Sequence, residues 1–157
     1  MTLADNLQAA MKTAMRDHDE LRRDTLRMAI AAAYNAEKAA RRPLTDDEVI
    51  GVLVREVKTR RESIAAYDTA GRPDLADRER AEVDILSAFL PAAMTEDEVR
   101  ALVRDAIAQV GASSPKDLGR VMSLVSPKTK GRADGRLVSG IVSQELAGLA
   151  GAGSIAG

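Results

Sequence analysis

The chain has 157 residues, of which 45% are hydrophobic and 2% aromatic, with no cysteine and a formal net charge of −1. The absence of cysteine excludes disulfides, thiolate nucleophiles and cysteine-based zinc sites. No apolar run approaches the roughly 20 residues that cross a membrane, and the N-terminus shows no signal peptide. We therefore expect a cytoplasmic protein without a membrane partner. An aromatic-poor chain rich in Ala and Leu predicts an all-α fold.

The first two helices are predicted by apolar residues at helical spacing. These residues are Leu3, Leu7 and Met11 in the first helix, and Leu21, Met28 and Ala32 in the second. Thr2 is the predicted N-cap of the first helix. The turn between them is expected at residues 17–19, and Pro43 ends the second helix, because the residue before a proline avoids the α conformation.

A long third helix and a fourth complete the first half of the chain. Thr45–Glu48 is a capping box that opens the third helix, while Gly71 and Pro73 are typical of a helix end and a helix start. Arg60 falls on the buried face of the third helix, and a buried arginine needs an acidic partner. The candidate acids of the fourth helix are Glu79, Glu82 and Asp84. Short connections predict an N-terminal four-helix bundle domain over residues 1–91.

A small C-terminal domain of three helices is predicted over residues 95–147, after a short connection at 92–94. Thr95–Glu98 is a second capping box, Ser114–Asp117 reads as the first turn of a sixth helix, and Asp134 can cap a seventh. Residues 148–157 are rich in Gly and Ala and are expected to form a disordered tail.

Between the last two helices lies the segment Ser126–Gly135, which we call the basic joint. Pro127 predicts that it is not helical. Residues 113–147 hold six cations against three acids, whereas the rest of the chain holds 17 cations against 21 acids, and this asymmetry favours a polyanionic partner. The candidate nucleic-acid-binding residues are Lys116, Arg120, Lys128, Lys130, Arg132 and Arg136. The alternative is a solvated basic loop.

The residues of a catalytic or metal site are missing from the sequence. The single histidine, His18, lies between two aspartates in a predicted turn, and no phosphate-binding loop, dinucleotide motif or metalloprotease motif occurs. Most acids stand at helix starts, where capping and the helix dipole explain them. We therefore predict no catalytic residue, no metal site and no cofactor.

Five segments of the chain resemble the YqeY family. They are Arg55–Ile64, Ala70–Arg72, Phe89–Pro91, Ser113–Gly119 and Lys130–Gly135. The resemblance covers about residues 3–147. The family is similar to the tail region of the GatB subunit of the glutamine-dependent tRNA amidotransferase, in which the helical and tail domains hold the tRNA and the chemistry belongs to other domains. The resemblance therefore implies an all-helical protein in two parts, with tRNA as its partner.

Two functions follow from these expectations. The first is a non-catalytic accessory protein that binds tRNA through the six cations named above. The alternative is a protein-interaction module that docks on an amidotransferase or an aminoacyl-tRNA synthetase complex without touching RNA, motivated by the wide apolar, arginine-bearing face of the third helix. A link to carbon–nitrogen ligase activity with glutamine as donor is implied only at the level of the family.

Overall fold

The computed structural model describes residues 1–155, with side chains described through residue 151. The helices are α1 Leu3–Arg16, α2 Glu20–Ala40, α3 Asp46–Thr69, α4 Pro73–Ser87, α5 Glu96–Val110, a short 3-10 helix at Pro115–Asp117, α6 Leu118–Thr129 and α7 Gly135–Ile155. Residues 1–155 contain no β-strand, so the predicted all-α fold is confirmed. The chain divides into two compact units, unit 1 at Met1–Pro91 and unit 2 at Ala92–Gly157.

Threonine capping boxes begin three of the helices. The Oγ1 atom of each threonine accepts a hydrogen bond from the third following amide, at 3.1 Å for Thr2 and Asp5, 3.3 Å for Thr45 and Glu48, and 3.2 Å for Thr95 and Glu98. The acid in each pair accepts in return from the threonine amide. These bonds satisfy amides that have no partner within the helix, and the predicted helix starts are confirmed.

The core of unit 1 lies between α3 and α4 and between α1 and α2, and α2 also packs against both α3 and α4. It is formed by Leu7, Leu26, Ala29, Val49, Leu53, Val57 and Leu86. Met28, which the sequence pattern placed inward, is 55% exposed. The buried stripe of α2 passes instead through Leu26, Ala29 and Ala33, because small alanine side chains let neighbouring helices approach closely.

Arg60 joins α3 to α4 inside unit 1. Its side chain is 5% exposed, and its Nη1 atom donates to the carbonyl oxygen and to Oε2 of Glu56, at 3.0 and 2.8 Å. Its Nε atom lies 3.3 Å from Oε2 of Glu82, so the predicted partnership with Glu82 is confirmed, while Asp84 is exposed. The arginine-bearing face of α3 is therefore packed inside unit 1, and it is not the free docking surface that motivated the alternative function.

The core of unit 2 lies among α5, α6 and α7, which all pack against one another. It is formed mainly by Val99, Val103, Ile107, Val121, Val125, Val138, Ile141, Val142 and Leu146. The helical spacing of apolar residues predicts that Leu118 and Leu137 face the core, but they are 36% and 40% exposed. Each stands in the first turn of its helix, at the margin of the core.

Arg100 and Arg104 of α5 both pair with Glu145 of α7. The distances are 2.8 Å from Arg100 Nη1 and 3.2 Å from Arg104 Nε. These two hydrogen bonds, that from Arg104 foremost, hold the pKa of Glu145 below its ordinary value. Both arginines and the only glutamate of α7 are thus committed to holding the unit together.

The last helix continues where the sequence predicted a disordered tail. α7 extends through Ile155, so residues 148–155 are helical, while residues 156 and 157 lie outside the described part. Alanine and leucine in this segment favour the helix and offset the cost of its glycines, whereas a Gly- and Ala-rich composition at the end of the chain suggests disorder.

Candidate nucleic-acid interface

The first part of the basic joint is the last turn of α6. Pro127 lies inside this helix, and its missing N–H leaves the carbonyl of Ser123 without the usual partner. Ser123 and Pro127 are both exposed, so water can bind that carbonyl and the cost is small. The helix continues to Thr129, after which the Lys130 amide donates to the Ser126 carbonyl at 3.1 Å. The prediction that the joint is not helical at Pro127 is therefore wrong.

Thr129 organises the turn that follows. Its side chain is buried, and its carbonyl oxygen accepts from the amides of Arg132 and Ala133 at 2.9 and 3.0 Å. Gly131 has φ +74°, a conformation that L side chains rarely adopt. Asp134 then accepts a hydrogen bond at Oδ1 from the Arg136 amide at 2.8 Å. The joint is thus a tight, hydrogen-bonded turn between α6 and α7.

Arg132 is held by the segment that begins unit 2. Its Nε atom donates to the carbonyl oxygen of Ala92 at 2.9 Å, and its own carbonyl oxygen accepts from the Met94 amide at 2.8 Å. The side chain is therefore half-buried and has a structural task in addition to its charge. No sequence signal indicates this contact, because its partners are backbone groups about 40 residues away.

Arg120 is likewise engaged. It donates to Oδ1 of Asp117 at 3.2 Å and to the carbonyl oxygen of Val110 at the end of α5. Asp117 also accepts from the amide of Ser113, at 2.9 Å, and from that of Ser114. These bonds, led by the one from Ser113, lower the pKa of Asp117. Arg120 thus helps to fix the connection between α5 and α6.

The other four predicted cations are exposed, and no ion pair within the described side chains involves them. Lys128, Lys130 and Arg136 flank the turn, on the last turn of α6, its C-cap and the first turn of α7. Lys116 lies in the 3-10 helix at the other end of α6, roughly 18 Å away at 1.5 Å per residue. The structure therefore brings together the cations of the joint and separates Lys116 from them by the length of a helix.

Helix electrostatics explain only part of this arrangement. A cation near the C-terminus of a helix, such as Lys128, is stabilised by the helix dipole, whereas a cation in the first turn, such as Arg136, is not. The helix dipole therefore does not account for the position of Arg136. Three exposed cations around one tight turn can contact several phosphates of a nucleic acid backbone.

Among the described residues, no set of three or more His, Asp or Glu side chains is placed to hold a metal ion. His18 is exposed in the turn between α1 and α2, with φ +56°. Across residues 1–155, no helix combines the length and apolar content that crossing a bilayer requires.

Fold and surface together define an all-helical protein of two units, whose second unit carries an exposed cationic turn. The family model described as Yqey-like protein matches residues 4–146. The chain therefore belongs to the YqeY family, and the resemblance noted in the sequence is confirmed.

Several curated fungal proteins are similar to the chain. The altered inheritance of mitochondria protein 41 of Pyrenophora tritici-repentis is 32% identical over 90% of this chain and 79% of its own length. An uncharacterised protein of Schizosaccharomyces pombe is 31% identical over 55% of this chain and 73% of its own length. The protein 41 of Lachancea thermotolerans is 31% identical over 70% of this chain and 60% of its own length. None of these three relatives bears the name of an enzyme.

These names correct the expectation of a cytoplasmic protein. The protein 41 of both Pyrenophora and Lachancea is named as mitochondrial, and this points to mitochondria and away from the cytoplasm. The expectation rested on the absence of cysteine, of a membrane-spanning apolar run and of a signal peptide, and none of these absences identifies a compartment.

Proposed function

We propose that the protein is a non-catalytic accessory factor that binds the RNA backbone through unit 2, with tRNA as its partner. The observation that carries the proposal is the group of exposed cations around the α6–α7 turn, Lys128, Lys130 and Arg136, for which unit 2 provides no acidic partner among its described side chains. We call these three residues the turn cations. The choice of tRNA rests on the family's similarity to the tail of the tRNA amidotransferase.

The contrast with the other arginines of unit 2 supports a ligand more than a solvated loop. Arg100, Arg104 and Arg120 are each paired with a carboxylate at 2.8 to 3.2 Å. The acid nearest to the turn in sequence, Asp134, instead accepts from a backbone amide. The positive charge of the turn is therefore left for a partner outside the unit.

The composition of unit 2 indicates which features of an RNA partner it can recognise. The three aromatic residues of the chain, Tyr34, Tyr67 and Phe89, all precede unit 2. Without aromatic side chains no unpaired base can stack on a ring, so shape and backbone contacts remain. We expect binding of folded RNA with little sequence preference and a steep dependence on salt.

Filter binding of the full chain to bulk tRNA tests the proposal. The test variant carries Lys128→Gln, Lys130→Gln and Arg136→Gln, and leaves Arg120 and Arg132 in place because both hold backbone carbonyls. A matched control carries Arg55→Gln, Lys58→Gln and Arg61→Gln, which are exposed residues of α3 outside any ion pair of the described side chains. Both variants lose three charges.

We expect the test variant to lose at least tenfold in affinity at moderate salt, while the control binds nearly as the wild type does. Equal losses in both variants would mean that only net charge matters and would overturn this site. A separate Lys116→Gln variant reports whether the RNA also reaches the far end of α6.

The alternative is docking on an amidotransferase or aminoacyl-tRNA synthetase complex without RNA contact. The α3 face that motivated it is packed inside unit 1, so this observation no longer supports it. An affinity pull-down with and without nuclease separates the two functions. Recovery of such a complex after nuclease treatment would favour docking, and recovery that depends on intact RNA would favour binding of tRNA.

A further inference from the structure

Unit 1 carries an apolar groove between α1 and α2, which we call the α1–α2 groove. Its volume is about 360 Å³. Its apolar lining includes Leu7 and Met11 from α1 and Ile30, Ala31 and Tyr34 from α2. Tyr34 is 58% exposed, so a large apolar side chain stands at the mouth of a groove that the unit itself leaves open. Exposed apolar surface of this kind marks interaction sites.

The α2 side of the groove is a regular stripe. Arg27, Ile30, Ala31, Tyr34 and Glu37 follow one another along α2 within a single face, and all five line the groove. An arginine stands at one end of the stripe and a glutamate at the other. They are ten residues apart, about 15 Å along the helix, so they do not pair with each other.

We propose that the partner of the α1–α2 groove is a second copy of this chain, with the two α2 helices antiparallel about a two-fold axis near residue 32. In that register Ile30 faces Tyr34 of the other copy, and Arg27 faces its Glu37. A two-fold interface must be self-complementary, and this stripe meets that condition in both shape and charge. The inference is independent of RNA binding by unit 2.

The side chains at the centre and ends of the stripe suit this arrangement. Ala31, exposed and next to the axis, allows two helix backbones to approach closely. Arg27 lies 3.8 Å from Asp24, at the limit of an ion pair, and Glu37 Oε1 accepts only a 3.3 Å bond from the Leu44 amide. Both charged ends therefore retain the capacity to bind a partner. A single helix pair is a small interface, so we expect dissociation in roughly the micromolar range.

Charge exchange tests the register directly. Arg27→Glu alone places the introduced glutamate against Glu37 of the other copy, and Glu37→Arg alone places two arginines together, so each variant should dissociate at least tenfold more readily than the wild type. In a mixed dimer of the two single variants, one contact joins the introduced glutamate to the introduced arginine and the other joins the unchanged Glu37 to the unchanged Arg27, so mixing the single variants restores the pairing. The double variant Arg27→Glu with Glu37→Arg restores it as well, because every such contact is again between opposite charges. Sedimentation velocity should therefore show dimers of the double variant, and of the equimolar mixture of the single variants, at concentrations where each single variant alone is a monomer.

Failure of the double variant to recover dimers would overturn the proposed register. Circular dichroism melting of each variant shows whether it is folded, because Glu37 also holds the Leu44 amide. A wild type that stays monomeric up to about 200 µM, far above the micromolar range expected from the size of the interface, would overturn self-association. That result would favour a helix of another protein as the partner that binds the groove.

Cross-linking provides a second readout, because the chain contains no cysteine. Ala31→Cys should form a disulfide-linked dimer under mild oxidation, since residues beside the two-fold axis meet their own copies. Ala65→Cys, exposed on α3, is the control and should remain largely monomeric. Equal cross-linking at both positions would reflect random collision and would contradict the proposal.

Discussion

The Nε atom of Arg132 donates a hydrogen bond to the carbonyl oxygen of Ala92 at 2.9 Å. The Met94 amide returns a bond of 2.8 Å to the Arg132 carbonyl oxygen. This reciprocal pair fastens the start of unit 2 to the turn between α6 and α7. Among the predicted basic residues, Arg132 thus stabilises the fold, whereas the turn cations are free to bind a ligand.

Arg132→Lys should separate the charge of this residue from its structural contact. The positive charge is retained, but an ammonium group cannot reproduce the fixed geometry of the guanidinium Nε. We expect the free energy of unfolding to fall by about 1 kcal/mol and the Met94 amide to exchange its hydrogen faster. Arg136→Lys, at an exposed position outside the ion pairs of the described side chains, is the control. Unchanged exchange at Met94 in Arg132→Lys would show that the side chain does not secure this segment.

Arg60→Met should strongly destabilise unit 1. The substitution leaves Glu56 and Glu82 without the cation that lies within 2.8 and 3.3 Å of them, and removing one partner of a buried ion pair costs about 3–5 kcal/mol. Urea denaturation measures the loss. Arg61→Met, on the exposed side of α3, should change stability by less than about 0.5 kcal/mol. A loss below about 1 kcal/mol for Arg60→Met, far under the cost of an unpaired buried charge, would refute the buried-pair account.

Glu79→Gln should raise the stability of unit 1, relative to the wild type, more at neutral pH than at acidic pH. Burial, followed by the nearby charge of Glu82, raises the pKa of Glu79 above its ordinary value of 4.5. The folded wild type therefore holds this proton more tightly than the unfolded chain does. The stability that comes from the proton is complete below the unfolded pKa and is lost as the pH rises through the folded pKa.

Glutamine cannot ionise, so the variant escapes that loss. Thermal denaturation at acidic pH, below the ordinary pKa of glutamate, and at neutral pH should show a stability difference, variant minus wild type, that is larger at neutral pH. A difference that does not change between the two conditions would contradict the raised pKa.

Arg41→Gly should stabilise the end of α2. Arg41 is the C-cap of this helix with φ +57°, a left-handed conformation that costs a residue with a side chain about 1 kcal/mol. Glycine adopts it freely and is the preferred residue at such positions. We expect a gain of up to about 1 kcal/mol in chemical denaturation. Ala39→Gly, two residues earlier within α2, should instead lose about 1 kcal/mol. Destabilisation by both substitutions would contradict the argument.

Local signals in the sequence were sufficient for the helix starts and for the pairing of Arg60. Thr2, Thr45 and Thr95 each stand three residues before an acid, and the capping box depends only on that short spacing. The partnership of Arg60 with Glu82 followed from helical periodicity, because a buried guanidinium on one helix requires an acid on its neighbour.

Local sequence signals do not predict contacts between backbone groups that are distant along the chain. They also do not predict the balance of helix propensities within a segment. The sequence predicts a break in the helix at Pro127, but Ser123, whose carbonyl the proline leaves without a partner, is exposed to solvent. The sequence assigns Arg132 only to a ligand, since nothing in its neighbours indicates a bond to the Ala92 carbonyl. The sequence pattern does not predict the α1–α2 groove, because it places Met28 inward and gives no sign that the stripe around Ala31 is exposed.

The salt dependence of tRNA binding tests the proposed function most directly. Each phosphate neutralised in duplex RNA should contribute close to one unit, about 0.9 by analogy with B-form DNA, to the slope of log K against log salt concentration. Affinity falls as salt rises, so this slope is negative. Replacing all three turn cations by glutamine should therefore make it shallower by about 2–3 units, while the matched variant of Arg55, Lys58 and Arg61 keeps the slope of the wild type. If the turn variant retained both the affinity and the slope of the wild type, unit 2 would not bind tRNA through this surface.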